Sequence, residues 1–158
     1  MKLYLLIIPI LLLNISFINA QNLFEKNSES WIIKGDANWK LKNNKIVGNV
    51  TDGSGFVITK ETFKDFILEV EFKPDSDINS GVFIRCKNYE IGADDCHEIN
   101  IWDTHPNQDF RTGSIVKKAI PLVKVETNNK WNTYKIKSKN NHIQVWLNGI
   151  FTADIKDN

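Results

Sequence analysis

Residues 96–106 read CHEINIWDTHP, and from His97 to Asp103 polar and apolar side chains alternate. Ile99 and Ile101 fall on one side, and Glu98, Asn100 and Trp102 on the other. A period of two is the signature of a strand whose two faces meet different surroundings. A plain solvent-facing strand surface would carry Thr, Lys or Ser more often than an acid, an amide and an indole in a row. If the isoleucines point into a core, those three groups stand together on the opposite face, with Asp103 and His105 just beyond.

The same period recurs along the chain. ILEVEFK (67–73) sets Leu68, Val70 and Phe72 against Glu69, Glu71 and Lys73, and GVFIR (81–85) sets Val82 and Ile84 against Phe83 and Arg85. HIQVWLNG (142–149) sets Ile143, Val145 and Leu147 against Gln144 and Trp146 and closes on an Asn-Gly hairpin turn with IFTADI as partner. WNTYKIKS (131–138) leads into the next strand through KNN, WKLKNNKIVGN predicts a hairpin around Asn43-Asn44, and GFVIT predicts a short strand. The one helix expected is about a single turn in TKETFKDF, with Thr59 as its cap. Short strands joined by Asn, Gly and Asp turns predict an all-β chain, an antiparallel sandwich or barrel. There is no internal repeat, linker or low-complexity segment.

The first twenty residues read differently. Lys2 and the apolar run LYLLIIPILLL form a secretory signal peptide, too short for a spanning helix, with cleavage expected after Ala20. No Cys stands near that junction, so a lipid anchor is not expected, and no later run is apolar enough to cross a membrane as a helix. The remainder, residues 21–158, is expected to be one domain, exported to a periplasm or secreted. Removing Lys2 takes the formal net charge of +1 to zero, and the lysines are scattered, which argues against a nucleic-acid partner. The sequon at Asn49 would matter only in a eukaryotic secretory route.

Two cysteines, Cys86 and Cys96, are expected to form a disulfide in an exported chain, closing a loop of about 11 residues. A catalytic thiol is the sharper alternative, but no acid–base set surrounds either residue. Zinc would call for paired CxxC spacing, which is missing.

On neighbouring strands, Glu98, Arg85, Trp102 and Trp146 would make a carbohydrate groove, with planar apolar platforms and charged hydrogen-bonding groups between them. Each has a plainer reading. Glu98, Glu69 and Glu71 could be solvated or paired across strands, Arg85 a salt-bridge partner, Trp146 packing, and His105, His97 and His142 surface histidines.

Taken in order, DINSGVFIRCK, CHEINIWDTHP, RTGSIV, KWNTYKIKS and VWLNG resemble the DUF1080 family, the 3-keto-disaccharide hydrolase domain. The resemblance runs from about Trp31 to Asp157. It departs at His97, where the family carries a tyrosine. The family pattern also runs on through a G-x-I-x-L-Q strand and an F-R-N-I strand, so either the chain is a fragment or the sandwich closes without those C-terminal strands. The resemblance implies a concanavalin-like jelly roll with its ligand on the concave face, and as substrates glycosides oxidised at the sugar C3. A C3 ketone acidifies the C2 hydrogen, so the C1 oxygen can leave by elimination and water can then add. That chemistry needs a base, a cation beside the enolate and a proton donor.

The family positions fall on Asn79, Arg85, Glu98, Asp103, Thr112 and Gly113. On this reading Glu98 is the base, Arg85 stabilises the developing negative charge, and His105 assists proton transfer or binds a metal. Asn79, Asn100, Trp102, Asp103 and Trp146 hold the sugar. Asp103 shares the parity of the core isoleucines, so orienting the loop is its favoured role. A divalent cation suits the chemistry, although no ligand spacing marks one. The rival reading is a non-catalytic carbohydrate-binding module of the same fold resting on Trp102 and Trp146, and a blander one a domain that docks onto a partner.

Overall fold

A computed structural model describes residues 20–24, 30–76, 78–87 and 91–157. The expected signal peptide, residues 1–20, lies outside the described residues except for Ala20. The structure is all-β and antiparallel, with ten strands among the described residues.

The chain divides into two compact units, Met1–Ile58 and Thr59–Asn158. In the first, β1 (Trp31–Gly35) pairs with β4 (Gly55–Thr59), while β2 (Asn38–Lys42) and β3 (Lys45–Asn49) form a hairpin. The expected turn at Asn43-Asn44 is present, with φ of 53° and 56°. Asn tolerates this left-handed region because its short amide can bond locally. Trp39 lies opposite Gly48, where a Cβ would sit 2.3 Å from the indole, so the glycine is what lets the ring lie over the hairpin.

In the second unit a four-stranded sheet runs in the order β10 (Ile150–Lys156), β9 (His142–Leu147), β8 (Asn132–Lys139), β5 (Phe66–Phe72). A second layer pairs β6 (Ser80–Ile84) with β7 (His97–Ile101), and residues 113–119 run along the free edge of β7, bridging Ile99 to Ile115. Between the layers lie Ile84, Ile99, Ile101, Ile115, Tyr134, Ile136, Ile143, Val145 and Leu147, all buried. Leu68, Val70 and Phe72 pack against them, as the alternation of β5 requires. The Cys86–Cys96 disulfide forms and joins the chain where β6 ends to the start of β7. The predicted helical turn after Thr59 does not form: residues 60–65 are bends and coil, and the Thr59 hydroxyl donates to the Glu61 carbonyl instead. Residues 60–65, KETFKD, carry Phe63 as their one apolar side chain and so no stripe to bury, and one turn alone lies below the length at which a helix sustains itself.

The layers are also tied by polar bonds. The fully buried Tyr134 hydroxyl, on β8, donates to the Asn100 carbonyl at 2.5 Å and accepts from the Gly113 amide at 2.8 Å. Burial pushes the phenol far above its usual range, so it stays neutral. Tyr134→Phe should leave a carbonyl and an amide buried without their partner and cost about 2–3 kcal/mol, lowering Tm by roughly 5–10 °C. Calorimetry of the two proteins checks this, and an unchanged Tm would show that the bridge contributes nothing net.

Candidate functional site

β7 presents three consecutive outward positions, and each meets a different environment. Glu98 lies opposite Phe83 of β6 and is half-buried. Its side chain leans over Gly81: a Cβ there would come within 3.1 Å of both Glu98 Cγ and Oε1. Gly81 is therefore the clearance in which the carboxylate lies. Burial pushes this carboxyl above its ordinary range, and the Lys117 ammonium pulls the other way less strongly. Lys117 sits in a left-handed conformation with φ 62° and pairs with Asp94 at 2.8 Å.

Asn100, two residues on, is not in an open groove. It is 2% exposed, and its amide donates to the Phe110 carbonyl, while its own backbone bonds Ser114 and Gly113. The cause is the 108–116 segment, which starts at a 3-10 turn (Gln108–Phe110) capped by Asn107 and runs back along β7. Parity placed Asn100 beside Glu98 correctly, but it could not foresee that covering segment.

Trp102 keeps an edge in solvent. Its indole N–H donates to Thr104 Oγ1 at 3.1 Å, and its ring meets His105 edge-on with centroids 4.4 Å apart. His105 in turn meets Phe110 at 5.7 Å, and its Nδ1 accepts from the Asn107 amide at 2.9 Å. The proton of a neutral His105 therefore sits on Nε2.

Two expected members lie elsewhere. Arg85 leaves the strand in a left-handed conformation, φ 53°, which breaks the alternation. Its Nε donates to Ser138 Oγ, a buried group among the inward positions of β8, and its Nη2 reaches the Lys64 carbonyl at 3.1 Å and Asp65 at 3.4 Å. Its charge acts on His97, on the core side of β7, so the cation beside Glu98 is Lys117 instead. Trp146 alternates with buried Val145 and Leu147 on β9, which puts it on the outer surface of the other layer, against Phe151 at 5.2 Å. Glu98 alternates with buried His97 and Ile99, so the same core separates the two.

Asn79 is exposed just ahead of β6. Asp103 is buried. It accepts from the Thr127 amide and hydroxyl and from the Asn128 amide, and it stands 3.8 Å from Arg111. Burial alone would raise its carboxyl, but hydrogen bonds from Thr112 and Thr127, with the Arg111 charge, hold it below its ordinary range. Arg111 is itself 2% exposed and reaches Val125 and Glu126. Sequence reading passed over Arg111, although an Arg next to the Thr112-Gly113 pair, eight residues from Asp103, was a signal that could have found it. No three His, Cys, Asp or Glu side chains converge among the described residues. The donor set thus does not fit a divalent cation.

Two antiparallel layers packed face to face over one apolar core make this a jelly-roll type of sandwich. Residues 19–158 match the 3-keto-alpha-glucoside-1,2-lyase-like domain family, and the chain belongs to that family. Among solved structures it is similar to two from Parabacteroides distasonis ATCC 8503, each described as a "putative glycosyl hydrolase". One is 23% identical with a TM-score of 0.66 over 86% of this chain and 71% of its own. The other is 21% identical with a TM-score of 0.70 over 85% and 71%. At these identities the likeness establishes the fold. No curated protein matches in sequence.

The two carboxylates predict opposite pH behaviour. Glu98, with its carboxyl raised by folding, favours the folded state most at low pH and loses that contribution as pH rises through its folded pKa. Glu98→Gln should therefore raise Tm at neutral pH, with the gain vanishing in acid. Asp103, lowered by folding, contributes above its unfolded pKa and loses this as pH falls through its folded value. Asp103→Ala, which strands Arg111, should cost about 3–5 kcal/mol near pH 7 and less in acid. Thermal unfolding of both variants from pH 3 to 8 checks the signs.

Proposed function

We propose that this exported domain cleaves glycosides oxidised at C3, with Glu98 as the general base. What supports the reading most is the state of that one carboxylate: desolvated, raised in pKa, and set in the clearance of Gly81 with a single ammonium nearby. A structural surface glutamate has no reason to be held in this way, whereas a base that must take a carbon-bound proton near neutral pH gains from it.

In this mechanism Glu98 removes the C2 hydrogen of the 3-keto sugar, and the electron pair moves into the C3 ketone to form an enolate. Lys117 takes the role first expected of Arg85 and stabilises that negative charge. Collapse of the enolate breaks the C1–O bond. The departing oxygen takes up the proton that Glu98 removed, with the His105 Nε2–H as hydrogen-bond donor to it, which restores the Glu98 carboxylate and leaves a C1–C2 double bond conjugated with the ketone. Addition of water across that bond, OH to C1 and H to C2, gives the hydrolysed 3-keto sugar. Trp102 offers its face to the C–H side of the ring, and Asn79 stands at the rim. The binding-module reading loses its basis, since Trp102 and Trp146 face opposite surfaces and no single ligand spans them.

Glu98→Gln should reduce turnover of 3-keto-trehalose by about 100-fold or more. Lys117→Met should lower kcat with little change in KM. Wild-type kcat/KM should rise with pH through a carboxyl group titrating above the ordinary Glu range, and that limb should be absent in the Gln variant. Undiminished release of monosaccharide by Glu98→Gln would remove it from the base role.

A further inference from the structure

The outer surface of the four-stranded sheet carries a feature that the proposed reaction does not use. A shallow groove of about 270 Å³ lies where β8 and β10 end and β9 begins, lined by Lys137, Lys139 and Lys156, with Asn140, Asn141, His142 and Gln144 among them. Register explains the concentration of charge. Lys139 lies opposite His142, and His142 opposite Lys156, so one cross-strand row holds three basic groups, with Lys137 and Gln144 paired in the row beside it. Strand spacing puts Lys139 and Lys156 about 10 Å apart across His142.

Like charges placed side by side on a sheet destabilise it unless an acid lies between them. Elsewhere on this face that remedy is used: Lys135 pairs with Glu69 at 3.7 Å. Here only His142 has an acid: Asp154, opposite Gln144 in the adjoining row, pairs with it, while Asp65 binds Arg85 and the Asn140 backbone amide. Among the described residues no carboxylate pairs with Lys137, Lys139 or Lys156. Three ammonium groups and the side-chain amides of Asn140, Asn141 and Gln144 around one groove are complementary to a ligand with both anionic groups and hydroxyls.

We propose that this groove binds an acidic glycan, with its sulfate or carboxylate groups on the three lysines and its hydroxyls on Gln144 and Asn140. A glycan is favoured over nucleic acid because the three lysines sit at one end of one sheet and make no basic stripe long enough to track a phosphate backbone. The site lies on the far side of the core from Glu98, so it would hold an anionic polymer while the opposite face remains free.

Titration calorimetry of the full chain at 50 mM NaCl tests this. The probes are a heparin-derived hexasaccharide, a hexagalacturonate, neutral maltohexaose and a duplex DNA dodecamer. At least one acidic oligosaccharide should bind, and preference between the two identifies sulfate or carboxylate as the recognised group. Its affinity should fall roughly ten-fold or more at 200 mM NaCl, as expected when about three charges are neutralised. The triple variant Lys137→Gln/Lys139→Gln/Lys156→Gln should lose at least ten-fold in affinity, and its Tm at low salt should equal or exceed that of wild type, which shows that it folds. Retained affinity in a folded variant, equal binding of maltohexaose, DNA bound as tightly as the glycan, or no binding of either acidic oligosaccharide would each overturn the proposal.

Discussion

The second unit depends on a hydroxyl with no solvent around it. Tyr134 projects from the middle of β8 into the space between the layers, with Phe72 stacked on its ring at 4.7 Å. Its oxygen joins β7 to the segment that returns along it. Apolar packing can hold two layers together without fixing how far one slides over the other. A donor and an acceptor buried at one point do fix it, because sliding would leave both unpaired at a cost of 1–3 kcal/mol each. The register of β7 decides which of its residues face outward, so Glu98 owes its position to a bond made on the opposite side of the strand, at Asn100.

Glu98 and Asp103 are five residues apart and live in opposite conditions. Asp103 has amide, hydroxyl and guanidinium donors around it and is held ionised as a fixed support for the loop at 127–128. Glu98 has burial without that compensation. Separating two acids by environment in this way lets one short stretch of chain hold a structural anion and the carboxylate proposed as the base. Trp102, just before Asp103, and His105, two residues after it, stand ring against ring, so all four side chains come from one continuous segment.

The sequence by itself determined the strands and their faces. Alternation is a local property, and Leu68, Val70, Ile99, Ile101, Ile143 and Val145 all point inward as their period requires. The Asn43-Asn44, Asn140 and Asn148-Gly149 turns follow from residue chemistry that tolerates positive φ. The Cys86–Cys96 bond follows from two cysteines in a chain read as exported. Only the tertiary structure decided which outward faces share a surface. One left-handed residue turned Arg85 from the face of Glu98 towards Ser138, a returning segment covered Asn100, and the order of strands put Trp146 on the far layer. Lys117, remote in sequence and without a motif, became the charge beside Glu98. Periodicity records which side of its own strand a residue takes. Strand neighbours and covering loops are set by contacts between distant residues, which leave no such local mark.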